Sequence, residues 1–175
     1  MSKLFDLRDV AKRFQRGKET ITIFEGLNLG IEEGDFVAIM GPSGSGKTTL
    51  LNLLGGVDQP SGGEIRFAGE RIDSLSETGL AAWRAANVGF IFQFYNLMPM
   101  LSAERNVELP LLLTSLPRAR RRQSVEAALK LVGLEDRARH LPKELSGGQQ
   151  QRVAIARAVV SDPKLLLCEI GRAHV

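Results

Sequence analysis

Phe36-Val37-Ala38-Ile39-Met40, continuing into Gly41-Pro42-Ser43-Gly44-Ser45-Gly46-Lys47-Thr48, joins an all-apolar run to a turn of glycine and serine. Consecutive apolar positions predict a strand covered on both faces of a sheet. Thr48–Leu54, free of Gly and Pro, predicts a helix that Gly55-Gly56 ends. The turn between them satisfies G-x-x-x-x-G-K-[ST] without a mismatch. Small residues let the backbone curl until successive N–H groups converge on a phosphate, and the following helix adds its positive end. Lys47 supplies a point charge for the β- and γ-phosphates, and the Thr48 hydroxyl a ligand for Mg²⁺. Gly41, Pro42, Ser43, Gly44, Ser45, Gly46, Lys47, Thr48 and Thr49 are thus the expected triphosphate-binding residues, with Lys47 also catalytic. A Gly/Ser surface turn is the bland alternative, and the strand before and helix after it argue against that.

Working outward, Leu4–Val10 and Ile21–Phe24 read as short strands, with charged Lys12–Glu19 as the turn between them. Leu27–Ile31 follows, then a turn at Glu32-Glu33-Gly34-Asp35. Glu64–Phe67 is an expected strand, Thr78–Ala86 a helix and Val88–Phe92 a buried strand. Val125, Ala128, Leu129 and Val132 fall at i, i+3, i+4 and i+7, one helical stripe within Arg118–Val132, with Gly133 as its cap. Ser146 with Gln149 three residues on forms a capping box for a helix running to Val160, which Asp162-Pro163 stops. Lys164–Cys168 is a last apolar strand. The order predicts an α/β fold: a parallel-sheet core with a helical subdomain inserted at about residues 94–160.

The chain has 175 residues, 43% hydrophobic and 25% charged, which excludes a disordered, collagen-like or disulfide-scaffold protein. With 23 basic against 20 acidic residues the net charge is +3, too small to indicate nucleic acid as a partner. The densest basic run, Arg118–Arg122, contains no aromatic platform and reads as a solvated helix face. The lone cysteine, Cys168, forms neither a disulfide framework nor a metal cluster and reads as structural. No secretory h-region opens the chain, and no apolar run reaches the ~18–20 residues needed to cross a bilayer. The expected location is cytoplasmic, with docking onto a membrane protein left open.

Leu145-Ser146-Gly147-Gly148-Gln149, extended by Gln150-Gln151-Arg152, places two glycines and a hydroxyl at a helix start. That is a second anion-binding terminus or an ordinary N-capped helix. Taken with the phosphate loop, it makes the chain resemble the nucleotide-binding domain of an ABC transporter, whose signature is LSGGQ. The resemblance extends over Leu4–Cys168. It implies a P-loop ATPase core with an antiparallel β subdomain near the N-terminus and ATP with Mg²⁺ as ligands. It also implies a head-to-tail dimer in which Ser146, Gly147, Gly148 and Gln149 close over the ATP of the other subunit. By the same likeness Gln93, directly after the VGFIF run, approaches Mg²⁺ and the attacking water; a polar strand-end residue is its plain alternative. Phe14 stacks on adenine in this reading, with a core Phe as the rival. The segment from Asn96-Leu97-Met98-Pro99 to Pro110 meets a permease, which holds the ATPase at the cytoplasmic face of the membrane, and an exposed Leu/Met surface suits that docking. Gly55–Gly63 and Phe92–Leu97 resemble the branch serving lipoprotein-release, macrolide-export and other FtsX-like permeases, ahead of amino-acid import and the cell-division ATPase.

One departure stands at the end. The family pattern LLLxDEP predicts an aspartate and a catalytic glutamate where this chain has Glu169 and Ile170. Glu169 can hold Mg²⁺ on a longer stem, but Ile170 cannot polarise water, and His174 is off the family spacing for the switch histidine. Residues 170–175 are the peptide that ATC-GGA-AGA-GCA-CAC-GTC, the start of a common sequencing adapter, would encode. The expectation is a partial domain over 4–169, incomplete at its C-terminus, followed by a non-native tail; the rival is a divergent, inactive ATPase. The function expected of the intact protein is ATP hydrolysis coupled to a permease. The alternatives are a soluble ABC ATPase of DNA repair or translation, and a nucleotide-binding module without turnover.

Overall fold

Phe5 and Leu7 alternate with more exposed Leu4, Asp6 and Arg8, so the first strand, β1 (Lys3–Arg16), has one apolar face. At Asp9 (φ 48°) a bulge shifts the register, and Val10 rejoins the buried side. The computed structural model describes residues 3–169 and divides the chain into two units, Met1–Ala82 and Trp83–Val175. In the first, β1 pairs antiparallel with β2 (Glu19–Glu32) on one side and β3 (Gly62–Phe67) on the other. The two-residue β4 (Glu70–Arg71) completes the order β2-β1-β3-β4. Phe5 and Phe67 meet edge to face, ring centroids 5.1 Å apart, beside buried Leu7, Val10 and Ile65. Burying each such side chain contributes about 1.5–3 kcal/mol. Helix α1 (Lys47–Leu54) buries Leu50, Leu53 and Leu54 and ends at Gly55-Gly56, the latter at φ 62°.

Three expectations for this unit are corrected. The charged Lys12–Glu19 segment is not a turn: β1 continues to Arg16, and only Gly17 (φ 64°) and Lys18 reverse the chain. Ladder bonds belong to the backbone, and Arg13, Gln15 and Arg16 project into solvent, where their polarity is no obstacle. Likewise Ile21–Phe24 and Leu27–Ile31 are one strand, β2, with Gly26 at φ 70° inside it. Phe36–Met40, expected to be a buried strand, pairs with no strand among the described residues, and Phe36 is 99% exposed. A parallel strand takes its order from ladder bonds on its edges and cover on its faces, so an apolar sequence alone does not fix it.

Helix α2 (Glu77–Asn87) spans the boundary and feeds β5 (Val88–Ile91). This strand pairs in parallel with β6 (Leu165–Cys168), Val88 opposite Leu165 and Ile91 opposite Cys168. Between them lie α3 (Ala103–Glu108), α4 (Arg118–Leu131) and α5 (Gly147–Val159) with three short 3₁₀ turns. Ala103, Val107, Leu111, Val125, Leu129 and Val153 belong to their common core. Fully buried Asn106 fastens the approach to α3: its Oδ1 accepts from Met98 N (2.7 Å), and its Nδ2 lies within donor distance of the Met98, Leu101 and Ser102 carbonyls. Arg118, Arg120 and Arg122 are solvated as expected, Arg122 paired to Glu126, but Arg121 turns inward to pair with Glu108 (3.1 Å) and to donate to Leu116 O (2.9 Å). The segment 170–175 read as an adapter tail lies outside the described residues.

Candidate functional site

The phosphate loop is irregular backbone in which Gly44 (φ 81°) and Gly46 (φ 92°) adopt left-handed conformations that L side chains disfavour. Ser45 N donates to Pro42 O (3.3 Å), and Leu50 N to Gly46 O (2.8 Å), which starts α1 at Lys47. No side chain caps this helix and no acidic residue lies in its first turn, so its positive end keeps its full attraction for an anion. Lys47 Nζ curls back to donate to the carbonyls of Gly41 (2.8 Å) and Pro42 (2.7 Å). A Cβ on Gly46 would stand 2.7 Å from Ile23 Cγ2 and 2.8 Å from Phe24 Cζ, so only glycine lets the loop lie this close to β2. Gly44 faces open space, Ser43 and Thr48 are exposed, and Thr49 is half-buried.

Phe14 pairs with Ile21 across the β1–β2 hairpin, two residues along from Ile23, which carries the loop contact. The structure therefore gathers Phe14 and Gly41–Thr49 about one hairpin. At 41% exposed, Phe14 is not packed into the core of the sheet. Lys12 Nζ lies 4.7 Å from its ring centroid and donates to Asp58 Oδ1 (2.7 Å) and Gln59 O (2.8 Å). The Lys12–Asp58 pair joins residues 46 apart in sequence, and nothing local in VAKRF marks it.

In the second unit, Ile91 opposes Cys168, and Glu169 N donates to Ile91 O (2.9 Å). Gln93, in the turn two residues beyond Ile91, and Glu169 thus sit at the same carboxyl end of two parallel strands, where open α/β sheets bind ligands. Cys168 is exposed rather than a core residue, and desolvation pushes its thiol above the usual range, leaving little thiolate. At α5, Ser146 Oγ accepts from Gln149 N (3.3 Å) and Gln149 Oε1 from Ser146 N (2.8 Å), the expected capping box. Gly148 faces open space, and Gly147 lies near the Tyr95 hydroxyl. Arg157 of α5 donates to the carbonyls of Tyr95 and Asn96, both at 2.7 Å and both left-handed residues. Burial lowers the Arg157 pKa. Arg157 and Asn106, like Lys12, escape sequence reading because their partners lie on irregular segments that no local pattern marks.

The ABC transporter family profile matches residues 24–169. An uncharacterised ABC transporter ATP-binding protein, YknY of Bacillus subtilis strain 168, is 47% identical over 166 residues, covering 95% of this chain and 72% of its own length. The lipoprotein-releasing system ATP-binding protein LolD of Geobacter metallireducens is 43% identical, with 97% of this chain and 75% of its own covered. Among solved structures, the ATP-binding cassette MJ0796, a dimer in a post-hydrolysis state bound to ADP and Pi, superposes with a TM-score of 0.84 at 43% identity, over 94% of this chain and 72% of that one. A phosphate loop beside an aromatic hairpin, a capped LSGGQ helix and these likenesses agree: the chain belongs to the ABC transporter family, as an ATP-binding subunit.

Proposed function

We propose that Gly41–Thr49 and Phe14 bind Mg-ATP, and that the intact subunit hydrolyses it to drive a membrane permease. The observation that carries this reading is the Lys47 ammonium folded over a loop with left-handed Gly44 and Gly46 at an uncapped helix end. The residues present fit the ligand. A triphosphate needs converging N–H donors, a cation and space, and a Cβ at Gly46 would spoil the loop. Bound ATP supplies the phosphoryl group, and Mg²⁺ neutralises charge developing on it. Lys47 Nζ exchanges its loop carbonyls for phosphate oxygens, and Thr48 offers its hydroxyl to the cation. Among the described residues no group of three His, Cys, Asp or Glu could hold a metal. In the first unit Thr48 is the protein donor, and phosphate and water oxygens suit the remaining positions of a hard cation such as Mg²⁺.

Ser146, Gly147, Gly148 and Gln149 complete the site of a second, head-to-tail subunit in this reading; the dimeric cassette structure and the open space at Gly148 support it. Exposed Phe94, Met98, Met100, Leu112 and Leu113 offer an apolar surface to an FtsX-like permease, and the lipoprotein-releasing relative favours that class. No described helix is long and apolar enough to cross a membrane, so attachment at its cytoplasmic face comes through the permease. For the residues as written, one observation favours binding without turnover: the Ile170 side chain has no atom to accept a proton.

Calorimetric titration with Mg-ATP tests the assignment. Hydrogen bonds to charged groups are worth about 1.5–3 kcal/mol, so Lys47→Ala should weaken binding at least tenfold. Unchanged affinity refutes it.

A further inference from the structure

Among the described residues of the first unit Lys12 is a buried cation, 7% exposed, and a buried ammonium is costly unless its protons are taken up. Two are, by Asp58 Oδ1 and Gln59 O; the third contact is the Phe14 ring at 4.7 Å. The Asp58 end is itself tied to α1, since Val57 N and Asp58 N both donate to Asn52 O (2.9 and 3.2 Å). A continuous path therefore runs from the helix that Lys47 opens, through Asn52, Asp58 and Lys12, to the Phe14 ring. The two fully packed rings of the sheet, Phe5 and Phe67, are 0% and 5% exposed, whereas Phe14 is 41% exposed with an ammonium above it. Core filling explains the first two and not the third.

We propose that Lys12 is a positioning residue for the nucleotide base: it fixes the Phe14 ring at a set distance from the phosphate loop and polarises it for stacking on a purine. The inference rests on the nucleotide-site reading above. A cation held against an aromatic ring draws π density toward itself, which leaves the ring better suited to stack on an electron-rich base. The P-loop holds the triphosphate whatever base it carries, so Lys12 affects only the base-dependent share of affinity.

The test uses the 175-residue chain, with Mg-ATP, Mg-CTP and inorganic tripolyphosphate as probes in calorimetric titration. Lys12→Met should weaken ATP about threefold to tenfold, the range of a partly desolvated cation–π contact, and leave tripolyphosphate within twofold. The preference for ATP over CTP should fall with it. Lys12→Gln keeps a donor for Asp58 but no charge and should behave alike, which covers a Lys12→Met chain that does not fold. Lys12→Arg restores the cation and should restore the ATP-to-tripolyphosphate ratio. In a Phe14→Leu background, Lys12→Gln should cost nothing more. Equal losses of ATP and tripolyphosphate affinity, or losses that add in full with Phe14→Leu, overturn the proposal and leave Lys12 a structural ion pair. If the unchanged chain binds neither probe, the nucleotide-site reading falls first, and this one with it.

Discussion

Asp73 carries a pH dependence that a single substitution can expose. Its Oδ1 accepts from Ile65 N at 2.8 Å, and its other oxygen pairs with Arg71. Burial alone raises a carboxyl pKa, but the Arg71 guanidinium and the Ile65 amide outweigh it and hold Asp73 below the ordinary value. A carboxylate depressed in the folded state contributes its full stability above the unfolded pKa and loses it as pH falls through the folded one. Asp73→Asn should therefore destabilise the chain at pH 7 by about 1–3 kcal/mol, since the amide presents only one oxygen and loses the ion pair. Below about pH 4 the difference should shrink, because protonation removes the charge from the parent as well. Urea unfolding of both chains across that range checks it; a gap that is constant with pH contradicts the assignment. The same scale separates the site residues that sequence reveals from those it hides. Gly41–Thr48 is contiguous and each part has a local reason, whereas Lys12 takes its meaning from Asp58, 46 residues away, through a fold the sequence only implies.

Elements were legible where the signal was local. The Ser146–Gln149 capping box starts α5 as expected, and Gly133 (φ 66°) lets Leu134 N reach Leu129 O at the end of α4. Phe36–Met40 departs from its expected strand because apolarity states what a segment needs and cannot state which strand supplies it. The β1–β2 hairpin runs longer than its apolar pattern predicts for the converse reason: charge marks exposure and says nothing about backbone pairing. Gly89 shows how tightly one element fixes another. A Cβ there would stand 2.2 Å from Ala158 O of α5, a backbone atom that cannot turn aside. Gly89→Ala must push α5 off β5, and overpacking of this kind typically costs about 1–3 kcal/mol. Because α5 also carries Ser146–Gln149 at its start and Arg157 near its end, the shift should reach the Tyr95–Asn96 carbonyls as well. Hydrogen exchange should show faster amides in β5 and in residues 93–97 of this variant. Protection unchanged in both would mean that the helix is not seated as described.

At the scale of the molecule, two of its exposed apolar stretches have different consequences. Phe94, Met100 and Leu113 lie in the second unit on irregular or short helical segments, the kind of surface a partner's helix can cover. Phe36, Val37 and Met40 differ, since their backbone N–H and C=O groups also lack ladder partners among the described residues. An apolar extended segment with free ladder groups is a template for another strand, and charge placed on such a segment blocks the pairing. The chain should accordingly self-associate as its concentration rises, and association should depend on this segment. Sedimentation velocity over a concentration series should show Phe36→Lys with Met40→Lys moving the population toward monomer, while Met100→Lys changes it little. If Met100→Lys disperses the assemblies and the double variant does not, the adhesive surface is the helical one, and Phe36–Met40 is satisfied by other means. Concentration-independent monomer in the unchanged chain would refute self-association through either surface.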